Sequence, residues 1–389
     1  MWMRKILRAL ALVMVFGMLF QTKATNTSAS ESEVLPVEIA ARAAVLMDAA
    51  TGQVLMVYNE HQRLYPASVT KVMTLLLVAE ALAEEKLCLT DQITISGTAA
   101  GKGGSQIWLR EGENMTVEDL LKAIAIYSAN DASVALAEAI AGSEESFVAL
   151  MNERAAGLGM VNTNFENSTG LDDTAENHLT TAYDIALMSR ELLQHSEVMA
   201  YSTIWMDSLR DGETELVNTN RLVRFFEGAT GLKTGTTSRA GCCISATAMR
   251  GDTHLIAVVL GSDNSNDRFD TAKRMLNWGF ANYSTVTPEI DTSLITPVRV
   301  LHGEERYIQP MLPGGMPILV PRGSEDDLHQ NIELAVDVQA PVVEGQVLGR
   351  ITLLLGDEVV GEYTLTAPRA VQELRFMHML HRLITTLAR

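Results

Sequence analysis

The apolar block Val72-Met73-Thr74-Leu75-Leu76-Leu77-Val78-Ala79, broken only by Thr74, follows directly on Pro66-Ala67-Ser68-Val69-Thr70-Lys71. A Pro just before a Ser, good helix formers after it and no Gly until Gly97 predict a helix entered near Ser68. Because the block is apolar nearly all round, that helix belongs in the centre of a domain, with its first turn opening onto a cavity. Upstream, short apolar runs at 43–47 and 54–57 flank Asp48-Ala49-Ala50-Thr51-Gly52-Gln53 and predict a β-hairpin. Downstream, 90–96 reads as extended and 97–104 as a Gly-rich loop. Thr116 three before Asp119 resembles a capping box, and Leu120, Leu121 and Ile124 continue at helical spacing until Tyr127-Ser128-Ala129-Asn130-Asp131. Helices are predicted over 132–141, 144–158 and 181–193.

From Gly231 the texture changes. The runs 242–249 and 254–261 are β-like and joined by Arg250-Gly251-Asp252, a hairpin signal, after which 268–280 reads as an amphipathic helix. Between 298 and 367, short β-like runs separated by Gly and Pro predict a second, all-β domain. The tail 374–389 places Phe376, Leu380, Leu383, Ile384 and Leu387 along one helical face, with Arg375, His378, His381, Arg382 and Arg389 mostly elsewhere. Such a stripe suits an amphipathic helix in a membrane interface, or one docked on the β domain.

Composition narrows the class. With 389 residues, 47% hydrophobic and 20% charged, the chain is globular and long enough for two or three domains. Its 30 basic and 48 acidic residues give a net charge of −18, which argues against nucleic acid as a partner. Residues 1–24 have a basic start (Arg4, Lys5, Arg8), an apolar run over 9–20 and small residues near Ala24. That is the layout of a secretory signal peptide cleaved after Ala24 or Ala29, an uncleaved anchor being the alternative; a polar spacer over 26–33 follows. Cys88, Cys242 and Cys243 form neither a disulfide framework nor a metal pattern and read as small core residues; no metal or cofactor is expected. No G-x-G-x-x-G follows a strand, so a nucleotide site is not predicted.

Three short motifs carry candidate chemistry. Ser68 and Lys71, three apart, share one helical face, and a Lys whose charge is opposed by burial or by another cation can take the proton of a serine hydroxyl. Ser128 and Asn130 fall in a break between two helices, where both side chains can enter one cleft, or where Asn130 or Asp131 only caps the next helix. Lys233-Thr234-Gly235 fronts a strand and can offer a cation, a hydroxyl and an open backbone edge to one ligand, with Gly235 allowing close approach; a solvated Lys beside a turn is the plain alternative.

Taken in this order and at this spacing, the three motifs are the signature of penicillin-recognising serine enzymes. Over residues 37–370 the sequence resembles the low-molecular-mass penicillin-binding proteins, the D-alanyl-D-alanine carboxypeptidases. The neighbouring text matches too: Leu64-Tyr65-Pro66-Ala67-Ser68, Gly170-Leu171-Asp172, His178-Leu179-Thr180-Thr181-Ala182-Tyr183-Asp184, Gly231-Leu232-Lys233-Thr234-Gly235 and Trp278-Gly279-Phe280. The resemblance implies an α/β (α+β) transpeptidase-like domain over 37–284, a five-stranded antiparallel sheet flanked by helices with the serine between them, then a small all-β domain over 290–368. It implies Ser68 as nucleophile, Lys71 as base and Ser128 as proton relay to the leaving D-alanine. Asn130 would hold the substrate amide, Lys233 and Thr234 with Arg268 would meet the terminal carboxylate, and Arg221 is a further candidate. The N–H groups of Ser68 and Thr236 would form the oxyanion hole, and Gly235 would let the substrate approach closely. The implied partners are peptidoglycan stem peptides and β-lactam inhibitors, at the outer face of the cytoplasmic membrane.

Two positions depart from the family's pattern: Thr169 stands where many relatives carry His, and Cys242-Cys243 replaces a commoner aromatic or polar pair. Two rival readings stay open. A serine β-lactamase would need a carboxylate to activate water, and Glu166 lies in the right interval, although Ala129 between Ser128 and Asn130 and the added β domain point away from it. A non-catalytic wall-binding protein would need neither Ser68 nor Lys71.

Overall fold

The computed structural model describes residues 35–375; the leader over 1–24, the spacer over 26–33 and all but the first two residues of the 374–389 tail lie outside the described residues. The predicted hairpin is present as β1 (Ala43–Asp48) and β2 (Val54–Tyr58). With β3 (Ala229–Thr237), β4 (Gly241–Arg250) and β5 (Thr253–Ser262) it makes a five-stranded antiparallel sheet in the order β2-β1-β5-β4-β3. β4 and β5 are buried along nearly their whole length because helices cover both faces, which is why they read as continuous apolar runs rather than alternating ones. β3, with Lys233-Thr234-Gly235, is left on the edge.

On one face lies α1 (Lys71–Ala83), entered through a 3₁₀ turn over Ala67–Thr70, and ten of its thirteen residues are buried as the all-round apolar block requires. Around it pack α2 (Val117–Lys122), α3 (Asn130–Ala141), α4 (Glu144–Gly157) and α5 (Ala182–Leu192). Thr116, Ser143 and Thr181 cap α2, α4 and α5 by accepting the N–H of Asp119, Ser146 and Asp184, each worth about 1 kcal/mol. The opposite face is covered by α6 (Ser265–Asn282), capped by Asn264. Gly279 lets α6 lie flat on the sheet: a Cβ there would come within 2.5 Å of Leu255.

Several sequence expectations are corrected in detail. The helix opened by Thr116 changes at Ala123 into a π turn, Ala123–Tyr127, because the segment must deliver Ser128 inward rather than continue along the axis. Asn130 is not in a loop but begins α3. The Gly-rich stretch starts with a helical turn, Gly97–Ala100, capped by Ser96. Cys242 and Cys243 are buried, but Cys88 is exposed, in the turn where its N–H meets Asp91.

After α6 the chain enters β6 (Tyr283–Val286), anchored to the first sheet where Thr285 gives its N–H to Thr253 Oγ1 and its hydroxyl to the buried Asp48 carboxylate, 2.8 Å in each case. The remaining strands form small sheets, including a three-stranded antiparallel one of Leu328–Leu334, Val347–Leu355 and Glu358–Thr366. They enclose two apolar clusters of their own, around Val298, Val300 and Leu348 and around Ile318, Val320 and Ile351.

Candidate active site

Ser68 sits on the 3₁₀ turn that opens α1, between the end of α3 that bears Asn130 and the edge strand β3. Ala67 just before it is held at a positive φ of 48°, and the loop residue Gly170 is folded so tightly over the turn that any Cβ there would overlap the Ala67 carbonyl. On the other side Gly235 is equally constrained: a Cβ would lie 2.7 Å from Ser68 N and 2.9 Å from Pro66 O. Two glycines therefore set how closely the Gly170 loop and β3 approach the serine.

Lys71 is fully buried and its Nζ has three neighbours: Ser68 Oγ at 3.0 Å, Asn130 Oδ1 at 2.6 Å and Thr169 O at 2.9 Å. Two of these are carbonyl oxygens, which only accept, so each takes an N–H of the amine. A neutral amine has two hydrogens and one lone pair, and the geometry turns the lone pair to the serine hydroxyl. Burial, reinforced by the positive charge of Lys233 and opposed by Asp131, holds the Lys71 amine well below its ordinary range.

Ser128 ends the π turn in the left-handed region, φ 70°, which aims its side chain inward; its Oγ is buried and has no hydrogen-bond partner among the described residues. Asn130 gives one amide hydrogen to Gly103 O at 2.7 Å, which fixes the side-chain orientation with Oδ1 on Lys71 and leaves a second N–H free.

Along β3, Lys233 is fully buried with only the Thr234 carbonyl at 3.3 Å, and burial, then the nearby Arg268 charge, lower its pKa to about 7. Thr234 donates to Thr219 Oγ1 at 2.8 Å. Thr236 is packed by its hydroxyl on the Gly235 carbonyl, and Arg268 reaches across from α6 to both, 2.9 Å each, with its Nε left unpartnered. Lys71, Lys233 and Arg268 make these hydrogen bonds to neutral groups, and among the described residues none of the three has an ion pair to a carboxylate. Lys233 and Arg268, buried and without a paired carboxylate among the described residues, mark the side of the site suited to an anionic group. Arg221 stays at the surface, 4.6 Å over the Phe269 ring and bonded to Asn266.

The loop over 165–178 supplies what sequence reasoning missed. Thr169 serves Lys71 through its carbonyl while its hydroxyl turns to Asn167, so a side chain other than His is tolerated there. His178 accepts the Glu166 N–H on Nδ1, so its Nε2–H is the donor to Thr70 Oγ1 at 2.8 Å, and burial lowers its pKa to about 4. Thr70 passes the chain on to the Ala67 carbonyl. Asp172 accepts from Thr237 at 2.5 Å and ties the loop to the end of β3. Glu166 itself is exposed; its carboxylate takes the Asn177 N–H at 3.2 Å, on the wall of an outer cavity of about 740 Å³ shared with Lys102 and Glu144. The advance signals for these contacts were the Gly170-Leu171-Asp172 and His178–Asp184 stretches; carbonyl contacts such as that of Thr169 leave no side-chain signature.

An antiparallel sheet between helices, with a serine and a buried lysine at the entry of the central helix, is the architecture of the penicillin-binding serine enzymes. Residues 25–264 match the D-alanyl-D-alanine carboxypeptidase family (Peptidase_S11), and residues 283–373 match the penicillin-binding protein 5 C-terminal domain. The chain is 38% identical over 382 residues to the D-alanyl-D-alanine carboxypeptidase DacF of Bacillus subtilis, covering 97% of this chain and 98% of that protein. With DacC of Escherichia coli it shares 36% identity, covering 95% and 92%. The solved penicillin binding protein 5 of Haemophilus influenzae superposes with a TM-score of 0.77 at 32% identity, over 87% of this chain and all of that one. The chain belongs to the D-alanyl-D-alanine carboxypeptidase family.

Proposed function

We propose that this protein removes the terminal D-alanine from peptidoglycan stem peptides ending in D-Ala-D-Ala, through an acyl ester on Ser68. The observation that carries the reading is the Lys71 amine, held by two carbonyl acceptors with its remaining direction on Ser68 Oγ at 3.0 Å. Neutral Lys71 takes the hydroxyl proton as Ser68 Oγ attacks the penultimate carbonyl. The N–H groups of Ser68 and Thr236 hold the oxyanion; Ser128 Oγ gives its proton to the departing amine and takes in its place the proton held by Lys71, so D-alanine leaves and Lys71 is neutral again. Asn130 offers its free N–H to the substrate amide. Lys233, Thr234 and Arg268 receive the terminal carboxylate, which supplies the counter-ion those cations lack. Water, deprotonated by Lys71, then hydrolyses the ester and restores the serine.

A β-lactam enters as an acyl donor by the same attack. Its ester persists because the leaving fragment stays tethered where water must enter and because Glu166, turned to Asn177, is not aimed at the ester; this disfavours the β-lactamase reading. Residues 37–284 form the catalytic domain and 290–368 a β-rich domain, with a cleaved leader at 1–24 and an interfacial helix at 374–389 holding the enzyme on the outer face of the membrane. Among the described residues no helix is long and apolar enough to cross one. Incubation with a fluorescent penicillin and, separately, with a pentapeptide ending in D-Ala-D-Ala tests the reading: labelling together with released D-alanine is the expected result.

A further inference from the structure

The two acceptors that orient Lys71 come from different parts of the chain, Thr169 O at 2.9 Å and Asn130 Oδ1 at 2.6 Å. Both lead back to one carboxylate. Glu144 opens α4, and its Oε1 accepts twice from Ser168, from the backbone N–H at 3.0 Å and from the hydroxyl at 2.7 Å. Ser168 is fully buried and its carbonyl takes the Thr74 hydroxyl at 2.7 Å, so the residue before Thr169 is pinned between α4 and α1. The other oxygen of Glu144, Oε2, accepts from Lys102 Nζ at 2.7 Å. Lys102 leads into an exposed stretch, 103–105, that fixes Asn130: Gly103 O takes its side-chain N–H and Ser105 O its backbone N–H, both at 2.7 Å. A Cβ on Gly103 would meet no atom within 4 Å, so the stretch is not wedged there by packing and depends on its tethers, Lys102 among them.

An acid in the first turn of a helix is ordinarily a partner for the helix end. Glu145 fits that role and is exposed, whereas the Glu144 side chain keeps only 15% of its surface open and its partner Lys102 22%. Burial pushes the Glu144 carboxyl up, but the hydrogen bonds from Lys102 and Ser168 outweigh it and hold the group below the usual carboxylate range. We propose that Glu144 is a positioning residue for the reaction on Ser68: by bridging Ser168 and Lys102 it sets together the two acceptors that leave the Lys71 lone pair facing the serine. This rests on the carboxypeptidase reading, in which neutral Lys71 is the base. Glu144 touches neither Ser68 nor Lys71 and acts only through the two segments it joins. Without the bridge the amine loses its alignment, while Lys233 and Arg268 on the far side keep theirs, so the loss falls on proton transfer rather than on ligand binding.

The test is stopped-flow acylation of the full chain over a range of benzylpenicillin concentrations, which separates the dissociation constant of the non-covalent complex from the acylation rate constant. In Glu144→Ala the rate constant falls about 10²-fold while the dissociation constant stays within about threefold. Glu144→Gln, whose amide oxygen still accepts from Ser168, recovers at least about tenfold of that loss. Lys102→Met cuts only the second arm and lowers the rate constant about tenfold, and it carries the test if Glu144→Ala does not fold. Circular dichroism and thermal melting show which variants are folded. A folded Glu144→Ala protein, or in its place Lys102→Met, that acylates within about threefold of the wild-type rate constant would overturn the positioning role. So would a loss shared equally by the two constants, or Glu144→Gln no faster than Glu144→Ala. Each of these leaves the carboxypeptidase reading intact, whereas wild-type protein that neither takes up penicillin nor releases D-alanine would overturn both.

Discussion

Lys71 Nζ lies 3.0 Å from Ser68 Oγ, and the two other atoms it touches are carbonyl oxygens. This relationship demands a neutral amine for proton abstraction, so the charge of residue 71 matters in an unusual direction. Lys71→Arg keeps the cation but cannot lose its proton. The expected outcome is a fall in penicillin acylation of about 10³-fold or more, within the range for loss of a general base, in a protein that still folds. Retention of acylation near the wild-type rate would remove Lys71 from the base role.

Gly235 and Ser68 define the second close approach. Gly235→Ala places a Cβ 2.7 Å from Ser68 N and 2.9 Å from Pro66 O, both backbone atoms that have little room to give. Acylation should drop by at least about 10²-fold as β3 is pushed from the serine, since misplacement by an ångström has that cost, while stability falls by about 1–3 kcal/mol. Stopped-flow acylation and thermal melting separate the two effects; a stability loss with unaltered acylation would mean that the β3 edge does not take part.

The pH dependence follows from two lysines with opposite requirements. Lys71 must be neutral, so kcat/KM rises with pH through its lowered pKa. Lys233 must be charged to meet a carboxylate, and with a pKa of about 7 it loses that charge above neutrality. The free-enzyme profile for a peptide substrate should therefore fall as pH rises past about 7, and Lys233→Arg should remove that fall because a guanidinium stays charged. Identical alkaline limbs in both proteins would assign the limb to another group.

His178 makes a prediction about stability rather than rate. Its folded pKa of about 4 is below the ordinary histidine value of 6.5, so the unfolded chain binds the extra proton first. Its contribution is complete above 6.5, declines as pH falls, and is fully lost below about 4; the upper bound is about 3 kcal/mol. His178→Gln should flatten the melting temperature between these two pH values. A variant whose slope matches the wild type would place the acid sensitivity elsewhere.

The three motifs were legible because each puts its chemistry in side chains at short spacing: Ser68 with Lys71, Ser128 with Asn130, Lys233 with Thr234 and Gly235. The apolar block after Lys71 and the continuous runs at 242–249 and 254–261 also foretold the buried helix and the covered strands, since full burial on all sides leaves no polar alternation. What the sequence concealed was backbone. The Thr169 carbonyl on Lys71, the π turn that brings Ser128 inward, and the left-handed Ala67 and Trp108 arise from tertiary constraint, not from local preference. Asp131 was legible only as a cap; its role as a clamp on residues 107 and 109 depends on a loop more than twenty residues away in the chain.

The tail gives a test of location. A protein truncated before residue 376 tests the proposed anchor. The truncated protein, with its leader cleaved, should move from the membrane fraction to the soluble fraction while penicillin acylation stays within twofold. Membrane association that survives the truncation would assign the anchor to another segment.

The central claim is that Ser68 carries the acyl group, and intact-mass analysis after a benzylpenicillin pulse tests it most directly, followed by peptide mapping and, in parallel, D-alanine release from a pentapeptide. The account predicts a one-to-one adduct on the peptide containing Ser68 that outlasts the peptide acyl-enzyme by far, D-alanine release by the wild type, and loss of both in a folded Ser68→Ala protein. An adduct on any other residue, or D-alanine release that survives Ser68→Ala, would contradict it.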